Sequence, residues 1–308
     1  MPLVSVVIPS FNRLHYLRGA IQSALRQSIT DIEVIVQDNA SADDPTPLIR
    51  EIADPRLTLH RNAVNIGQTR NIVTACMRAT GKYIAVLGDD DLWQPDFLAR
   101  LVPPLESNSE LAVSFCAHDY IDAQGHVDAA RTRAINRRHR GGLAEGIYRP
   151  FVRIALVNRA VCMMSAAVYR RAAMDWSAVP PDLTFGSDNY INYLAARTGL
   201  GCYYQPARLA QLRLLAQSAS SSAALMGDGL ERCGRDSMMY WNRFKRDQAV
   251  AAGRRYFAMK STDNALRVML CVLRKRGLKS VLQELRHLAR EGMIDPFAML
   301  YHLRYGRR

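Results

Sequence analysis

No stretch of this 308-residue chain approaches the roughly 20 consecutive apolar residues that a bilayer-spanning helix requires, so no membrane span is expected. Met1 to Pro9 holds an apolar run without a basic region before it or a small-residue cleavage site after it, and no signal peptide is expected there. The six cysteines, at 76, 116, 162, 202, 233 and 271, show neither the close pairs of a zinc site nor the density of a disulfide scaffold. They suit small buried apolar groups in a reducing compartment, which makes the cytoplasm the expected location. Pro9 to Arg13 lacks the Gly-rich basic loop that commonly embraces a triphosphate. No zinc-finger, helix-turn-helix or RNA-recognition pattern occurs, and nucleic acid is not an expected partner.

Acidic residues are also in short supply. Against 41 Lys and Arg stand 28 Asp and Glu, a formal charge of +13. From Leu230 to Arg308 there are 18 basic and 7 acidic residues, so this tail holds 11 of the 13 excess charges. Such a tail can face nucleic acid, anionic lipid or an anionic substrate. The remaining composition, 49% hydrophobic and 22% charged, is that of a globular enzyme of one large or two modest domains.

Leu3 to Ile8, Ile32 to Val36, Leu57 to His60 and Tyr83 to Leu87 are short apolar runs that read as strands. Between them, apolar residues at helical spacing predict helices over 14–25, 45–53 and 68–79, the first carried by Leu14, Leu17, Ile21 and Leu25. A helix from beyond Pro95 to about Glu106 and a strand over Leu111 to Cys116 continue the pattern. Alternating units of this length predict an α/β fold with an open, mostly parallel Rossmann-like sheet flanked by helices, whose ligands sit outside the strand carboxyl ends. Beyond Cys116 the regularity fails. Arg131 to Gly142, with five arginines and little apolar content, reads as an exposed or mobile loop. Cys162 to Tyr169 reads as a buried strand, Asp188 to Ala196 as the start of a helix, Gly201 to Tyr204 as a short strand and Ser218 to Ser222 as a polar linker. Helical periodicity dominates from Asp228 onward, including Val281, Leu282, Leu285 and Leu288 opposite basic residues. This predicts a basic helical extension.

Asp89, Asp90 and Asp91 follow the apolar run Tyr83 to Leu87 after one glycine, Gly88. Three adjacent carboxylates repel one another and cannot be buried without a compensating cation. A hard divalent ion, Mn²⁺ or Mg²⁺, supplies one, and a diphosphate completes its oxygen coordination. The bland alternative is a surface acidic loop capping the helix after Pro95. Trp93 could cover a pocket beside the acidic run and Trp176, near Pro180 and Pro181, could form an acceptor wall, with core packing the alternative for both; Trp241 is a candidate for membrane-interface insertion, a partner groove or the core.

Four segments carry a family likeness: Val4-Ser-Val-Val-Ile-Pro-Ser-Phe-Asn-Arg13, Val36-Gln-Asp-Asn-Ala-Ser41, Asn65-Ile-Gly-Gln-Thr-Arg-Asn71 and Leu87-Gly-Asp-Asp-Asp-Leu-Trp-Gln-Pro-Asp96. Together they resemble the successive signatures of the family 2 inverting glycosyltransferases, over about residues 3–120 and more loosely to about 222. The resemblance implies a GT-A fold over 1–222, with a nucleotide-sugar-binding half at 1–120 and an acceptor half at 121–222, followed by the basic extension at 223–308. It implies that Pro9, Phe11 and Arg13 line the base pocket and that Asp38 bonds the base. Asn65, Gly67 and Arg70 would lie near ribose or diphosphate, Asp89 near the ribose, and Asp90 on the metal, with Asp91 a second candidate ligand. Asp38 could equally close a turn, and Arg70 could lie on a solvated helix face. Members often show Asp-Ser-Asp-Asp where this chain has Gly88-Asp89-Asp90-Asp91, so one potential ligand is missing.

Inversion needs a base opposite the leaving diphosphate, and Gly186-Ser-Asp-Asn-Tyr190 resembles the family's acidic motif, with Asp188 as the base and Ser187 in place of the usual Glu. Asp188 could also be a helix cap. Where some members have Arg-x-His near the diphosphate, this chain has Arg213-Leu-Leu215; the histidine is absent, and Arg213 is a diphosphate candidate or the partner of an acid. The implied activity is transfer of a sugar from a nucleoside diphosphate sugar, UDP or dTDP favoured, to a glycan or lipid-linked acceptor, as in bacterial surface polysaccharide synthesis. Contact with anionic membrane at the inner face of the plasma membrane, or homo-oligomerisation, would use the basic tail. An inactive nucleotide or nucleic-acid binding module, and a nucleotidyltransferase, are the competing functions.

Overall fold

The computed structural model describes residues 1–161, 163–215 and 228–295. Five strands and four helices occupy the first third in the expected alternation: β1 (Val4–Ser10), α1 (Leu14–Leu25), β2 (Ile32–Asp38), α2 (Thr46–Ile52), β3 (Leu57–Arg61), α3 (Gln68–Arg78), β4 (Tyr83–Val86), β5 (Leu92–Trp93) and α4 (Phe97–Ser107). Helix α1 forms because Leu17, Ala20, Ile21 and Ala24 fall on one buried face. Strand β1 is buried on both faces and pairs in parallel with β2 and β4, as its unbroken apolar run requires. Ser10 lies beside Asp38 and Val7 beside Val86, so the polar residues after β1, β2 and β4 emerge at the same edge of the sheet.

The rest of the chain adds β6 (Leu111–Ile121), α5 (Ala129–Arg140), β7 (Gly146–Tyr148), β8 (Ala167–Arg170), α6 (Ser187–Arg197), β9 (Gly201–Arg213), α7 (Asp228–Arg246) and α8 (Arg254–Arg290). The nine described strands form one sheet in the order β3-β2-β1-β4-β8-β6-β9-β5, with β7 on β9. β8 runs antiparallel between β4 and β6, and β6 and β9 are parallel. This is the expected α/β architecture, with its antiparallel departures confined to β5, β7 and β8.

Three expectations are corrected. Arg131 to Gly142 is mostly helix α5, not a loop. Polar contacts hold it where apolar ones are few: Asp128 accepts the Arg131 N–H at 2.9 Å, Thr132 Oγ1 accepts the Tyr120 N–H at 2.9 Å, and buried Arg140 meets His118 Nδ1 at 3.1 Å. The strand at Gly201 runs on to Arg213, through Pro206, because a register shift against β6 between Cys116 and Ala117 absorbs the residues around the proline. The expected strand over Cys162 to Tyr169 begins only at Ala167, after a tight turn over Met164–Ala166, and Cys162 itself lies outside the described residues. The Ser218 to Ser222 linker also lies outside them.

All three tryptophans are core residues. Trp93 stacks on Phe97 at 4.2 Å and donates to the Ser165 carbonyl, and Trp176 meets Tyr169 edge-on. Trp241 sits among Tyr240, Phe244 and Phe257, which excludes it from a membrane interface. Through that aromatic group α7 joins the same core cluster as Ile84, Phe115 and Tyr190. Helix α8 packs on α7 and is broken at Gly277. Among the described residues, no helix is long and apolar enough to cross a membrane.

Candidate active site

The polar sheet edge opens onto a cavity of about 870 Å³. Pro9, Phe11 and Arg13 line it from the end of β1, and Asp89, Asp90 and Asp91 from the turn after β4. Asn65 and Gly67 come from the approach to α3, Asp188 from the first turn of α6, and Arg213 from the end of β9. Residues spread over two hundred positions of sequence thus meet in one space.

Two expected residues do not line it. Asp38 is buried; its Oδ2 accepts from the Ser41 N–H at 3.1 Å and from Arg61 Nε at 3.0 Å, and its Oδ1 accepts the Ser41 hydroxyl. It closes the turn after β2. Arg70 donates from Nε to the Pro181 carbonyl at 2.7 Å, on the rim of an adjoining pocket of about 320 Å³.

The acidic turn is folded by the absence of a side chain at Gly88. A Cβ there would lie 2.6 Å from Asp91 Oδ2. That space lets Asp91 turn back and accept the Ser165 hydroxyl at 2.7 Å on Oδ2 and the Arg213 N–H at 2.9 Å on Oδ1. Both oxygens of Asp91 are therefore spent on protein donors, whereas Asp89 and Asp90 face the guanidinium of Arg13. Asp89 also accepts the Phe11 N–H at 3.2 Å, tying the β1 loop to the acidic turn. Arg213 spends Nε on the Asp90 carbonyl at 2.8 Å and Nη1 on the carbonyls of Asp122 and Ala123, and its guanidinium lies 4.7 Å from the Tyr16 ring centre. It braces the turn from β9 while still lining the cavity. Ser165 gave no signal in the sequence, and neither did Tyr16. Asn39 and Asn71 were visible only as members of quoted segments, yet both line the cavity within a chain of amides: Asn39 donates to Asn65 at 2.7 Å, and Asn62 donates to Asn39 at 3.0 Å and to Asn71 at 2.8 Å.

The profile of the family described as "Glycosyl transferase family 2" matches residues 5–175, more than half of the 308. The chain belongs to that family. Relatives of this glycosyltransferase include chondroitin synthase of Escherichia coli, 32% identical over 130 residues, which are 41% of this chain and 19% of that protein. Another is the UDP-Glc:alpha-D-GlcNAc-diphosphoundecaprenol beta-1,3-glucosyltransferase WfgD of Escherichia coli, 31% identical over 118 residues, 38% of this chain and 46% of that one. The chain thus spans less than half the length of these curated relatives. The fold is shared with S. aureus TarS 1-349 in complex with UDP-GlcNAc, with a TM-score of 0.57 at 16% identity over 98% of this chain and 92% of that one. It is shared too with a mannosyltransferase from Pyrobaculum calidifontis in complex with GDP-Man and Mn²⁺, with a TM-score of 0.59 at 17% identity over 100% and 88%. The fold is GT-A.

The electrostatics of the glycosyltransferase cavity are unbalanced. Burial, reinforced by Asp90, pushes Asp89 up to about 7 against the pull of Arg13 and the Phe11 N–H. Burial, again with Asp90, pushes Asp91 up to about 7 despite Ser165 and the Arg213 N–H. Asp90 is raised by burial and held down by Arg13 and Arg213. Three carboxylates with two nearby guanidiniums remain short of positive charge. With Asp91 taken up by Ser165 and the Arg213 N–H, Asp89 and Asp90 are the oxygen donors that would face a hard divalent cation, and no cluster of three metal-binding side chains occurs among the described residues. Asp188 is raised by burial, opposed by the Met164 N–H that its Oδ1 accepts at 2.9 Å.

Proposed function

We propose that this family 2 glycosyltransferase transfers a sugar, with inversion, from a UDP or dTDP sugar to a hydroxyl of a glycan or lipid-linked acceptor in bacterial surface polysaccharide synthesis. The observation that carries this reading is the single cavity holding the β1 loop, the acidic turn and Asp188. Such a space has room for both a nucleotide and a sugar. The pyrimidine lies against Pro9 and Phe11, with the amides of Asn39, Asn65 and Asn71, whose oxygens are held by neighbouring N–H groups, offering N–H donors. Asp38 acts by fixing the turn that carries Asn39, and Arg70 by holding the Pro181 loop. Asp89 approaches the ribose, and Asp90 holds Mn²⁺ or Mg²⁺, which when bound neutralises diphosphate charge. Asp91 holds the turn in place. The acceptor hydroxyl gives its proton to Asp188 as its oxygen bonds to the anomeric carbon, and the nucleoside diphosphate leaves with the electron pair of the broken bond toward Arg13 and Arg213.

Guanine presents two adjacent N–H donors that suit a carboxylate, and the nearby Asp38 is already saturated by Ser41 and Arg61. Calorimetric titration with Mn²⁺ present is expected to show UDP or dTDP binding at least about tenfold more tightly than GDP, a difference of about 1.4 kcal/mol. Equal or tighter GDP binding sinks the base preference.

The acceptor is expected at a membrane surface, the inner face of the plasma membrane. Leu270, Leu273, Leu278 and Leu282 of α8 are 44–66% exposed, interspersed with exposed Arg267, Arg274, Lys279 and Arg286. Exposed apolar and cationic side chains of this kind, on both sides of the break at Gly277, are drawn to anionic lipid. Full-length protein should sediment with phosphatidylglycerol-containing vesicles and not with pure phosphatidylcholine. Replacing the four leucines by Asn should abolish this, and unchanged sedimentation removes the membrane reading in favour of an interface between copies.

A further inference from the structure

Asp188 stands at the start of α6, directly after the loop 181–186, and that loop is held from both sides. On one side Arg70 of α3 grips the Pro181 carbonyl. On the other, Asp236 of α7 accepts two consecutive backbone N–H groups on one oxygen, from Thr184 and Phe185, each at 2.9 Å. Gly186 follows with φ +88°, and a Cβ there would stand 2.5 Å from the Tyr240 ring, so the turn into α6 is moulded onto α7. Tyr240 in turn accepts a hydrogen bond from Asn189, the residue after Asp188, at 3.2 Å. Thr184 and Phe185 line the main cavity as well as the adjoining pocket.

We propose that Asp236 is a positioning residue for transfer: from the C-terminal helix it fixes the 184–186 turn, and through it sets where Asp188 meets the acceptor hydroxyl. This rests on Asp188 as the base, and it makes α7 a working part of the catalytic unit. The chemical reason is directional. Two N–H donors converging on one carboxylate oxygen define a position that either donor alone would leave free to swing. A displacement of about 1 Å at an attacking geometry can cost on the order of a hundredfold in rate.

The test compares Asp236→Ala, Asp236→Asn and Asp236→Glu in the full-length protein. Three readouts are taken: amide hydrogen exchange of Thr184 and Phe185, UDP affinity with Mn²⁺, and nucleoside diphosphate release from a panel of UDP, dTDP and GDP sugars. In Asp236→Ala the two amides should exchange at least about tenfold faster, kcat should fall about 10- to 100-fold, and donor KM and UDP affinity should stay within about twofold. Asn keeps an acceptor oxygen in place and should restore both protection and kcat to within about threefold, and Glu, which keeps charge but moves the oxygen, should fall between. Faster exchange with unchanged kcat in Asp236→Ala overturns the proposal, as does a kcat loss in Asp236→Asn with the amides still protected. Should Asp236→Ala fail to fold, a wild-type kcat in a folded Asp236→Glu protein that has lost amide protection overturns it equally. Failure of the base assignment is read separately, from turnover retained by Asp188→Asn.

Discussion

Asp188→Asn is expected to lower kcat by about 10²- to 10⁴-fold while leaving the affinity for UDP with Mn²⁺ unchanged. Asn keeps the shape and can still accept the Met164 N–H that fixes Oδ1, so the first turn of α6 should persist. It cannot take a proton from an attacking hydroxyl. Because burial raises Asp188 above the ordinary carboxylate range, the charged base is lost as pH falls through that raised value, not only near 4. The acidic limb of wild-type kcat should therefore lie above the usual carboxylate position, and the residual activity of Asp188→Asn should lack that limb. Initial rates across pH, at saturating donor, measure both. Turnover within a few-fold of wild type in the variant removes Asp188 from the chemistry.

Divalent cation should stabilise the protein more at pH 8 than at pH 5. Asp89 and Asp91 titrate near 7 in the folded chain and near 4 when unfolded, so the native state holds more protons between those values. The stability that this proton uptake contributes is fully present below about 4 and is lost as pH rises through about 7. Above that pH the acidic turn is a cluster of repelling charges that a cation relieves. Mn²⁺ at a hundred times its Kd adds about 2.7 kcal/mol, which thermal melts resolve as a rise of several degrees. At pH 5 protons compete for the same oxygens, and the rise should shrink. Asp90→Ala should abolish it at both pH values. An equal rise at pH 5 and pH 8, or one that survives in Asp90→Ala, contradicts the placement of the metal on this turn.

The parts of this molecule legible in its sequence are those written in apolar periodicity. Helix α1 falls on the residues its spacing predicts, and β1, β2 and β4 emerge in order because each is a buried run with a polar end, whereas β3 buries only Leu57. Helix α5 was invisible for the opposite reason: its anchors are Asp128, Thr132 and Arg140, and polar contacts leave no repeating pattern. In β9, Pro206 concealed a strand that a bulge carries through. Within the cavity, residue types were easier to anticipate than their partners. Asp38 is where a base-reading acid was expected, yet Arg61 arrives from the neighbouring strand and claims it. Gly88 read as a missing ligand, whereas in the fold it makes the space into which Asp91 turns to meet Ser165. Asp236 lies 48 positions beyond Asp188, and only the packing of α7 on the sheet core brings its carboxylate under the loop.

The central claim is that the cavity joins donor, metal and base for sugar transfer. It is tested most directly by incubating the protein and a panel of UDP, dTDP and GDP sugars with Mn²⁺ and identifying the nucleotide released. Nucleoside diphosphate, released from at least one pyrimidine donor and lost in Asp90→Ala and Asp188→Asn, is the expected result. Release of pyrophosphate, or no release from any donor in the panel, contradicts it.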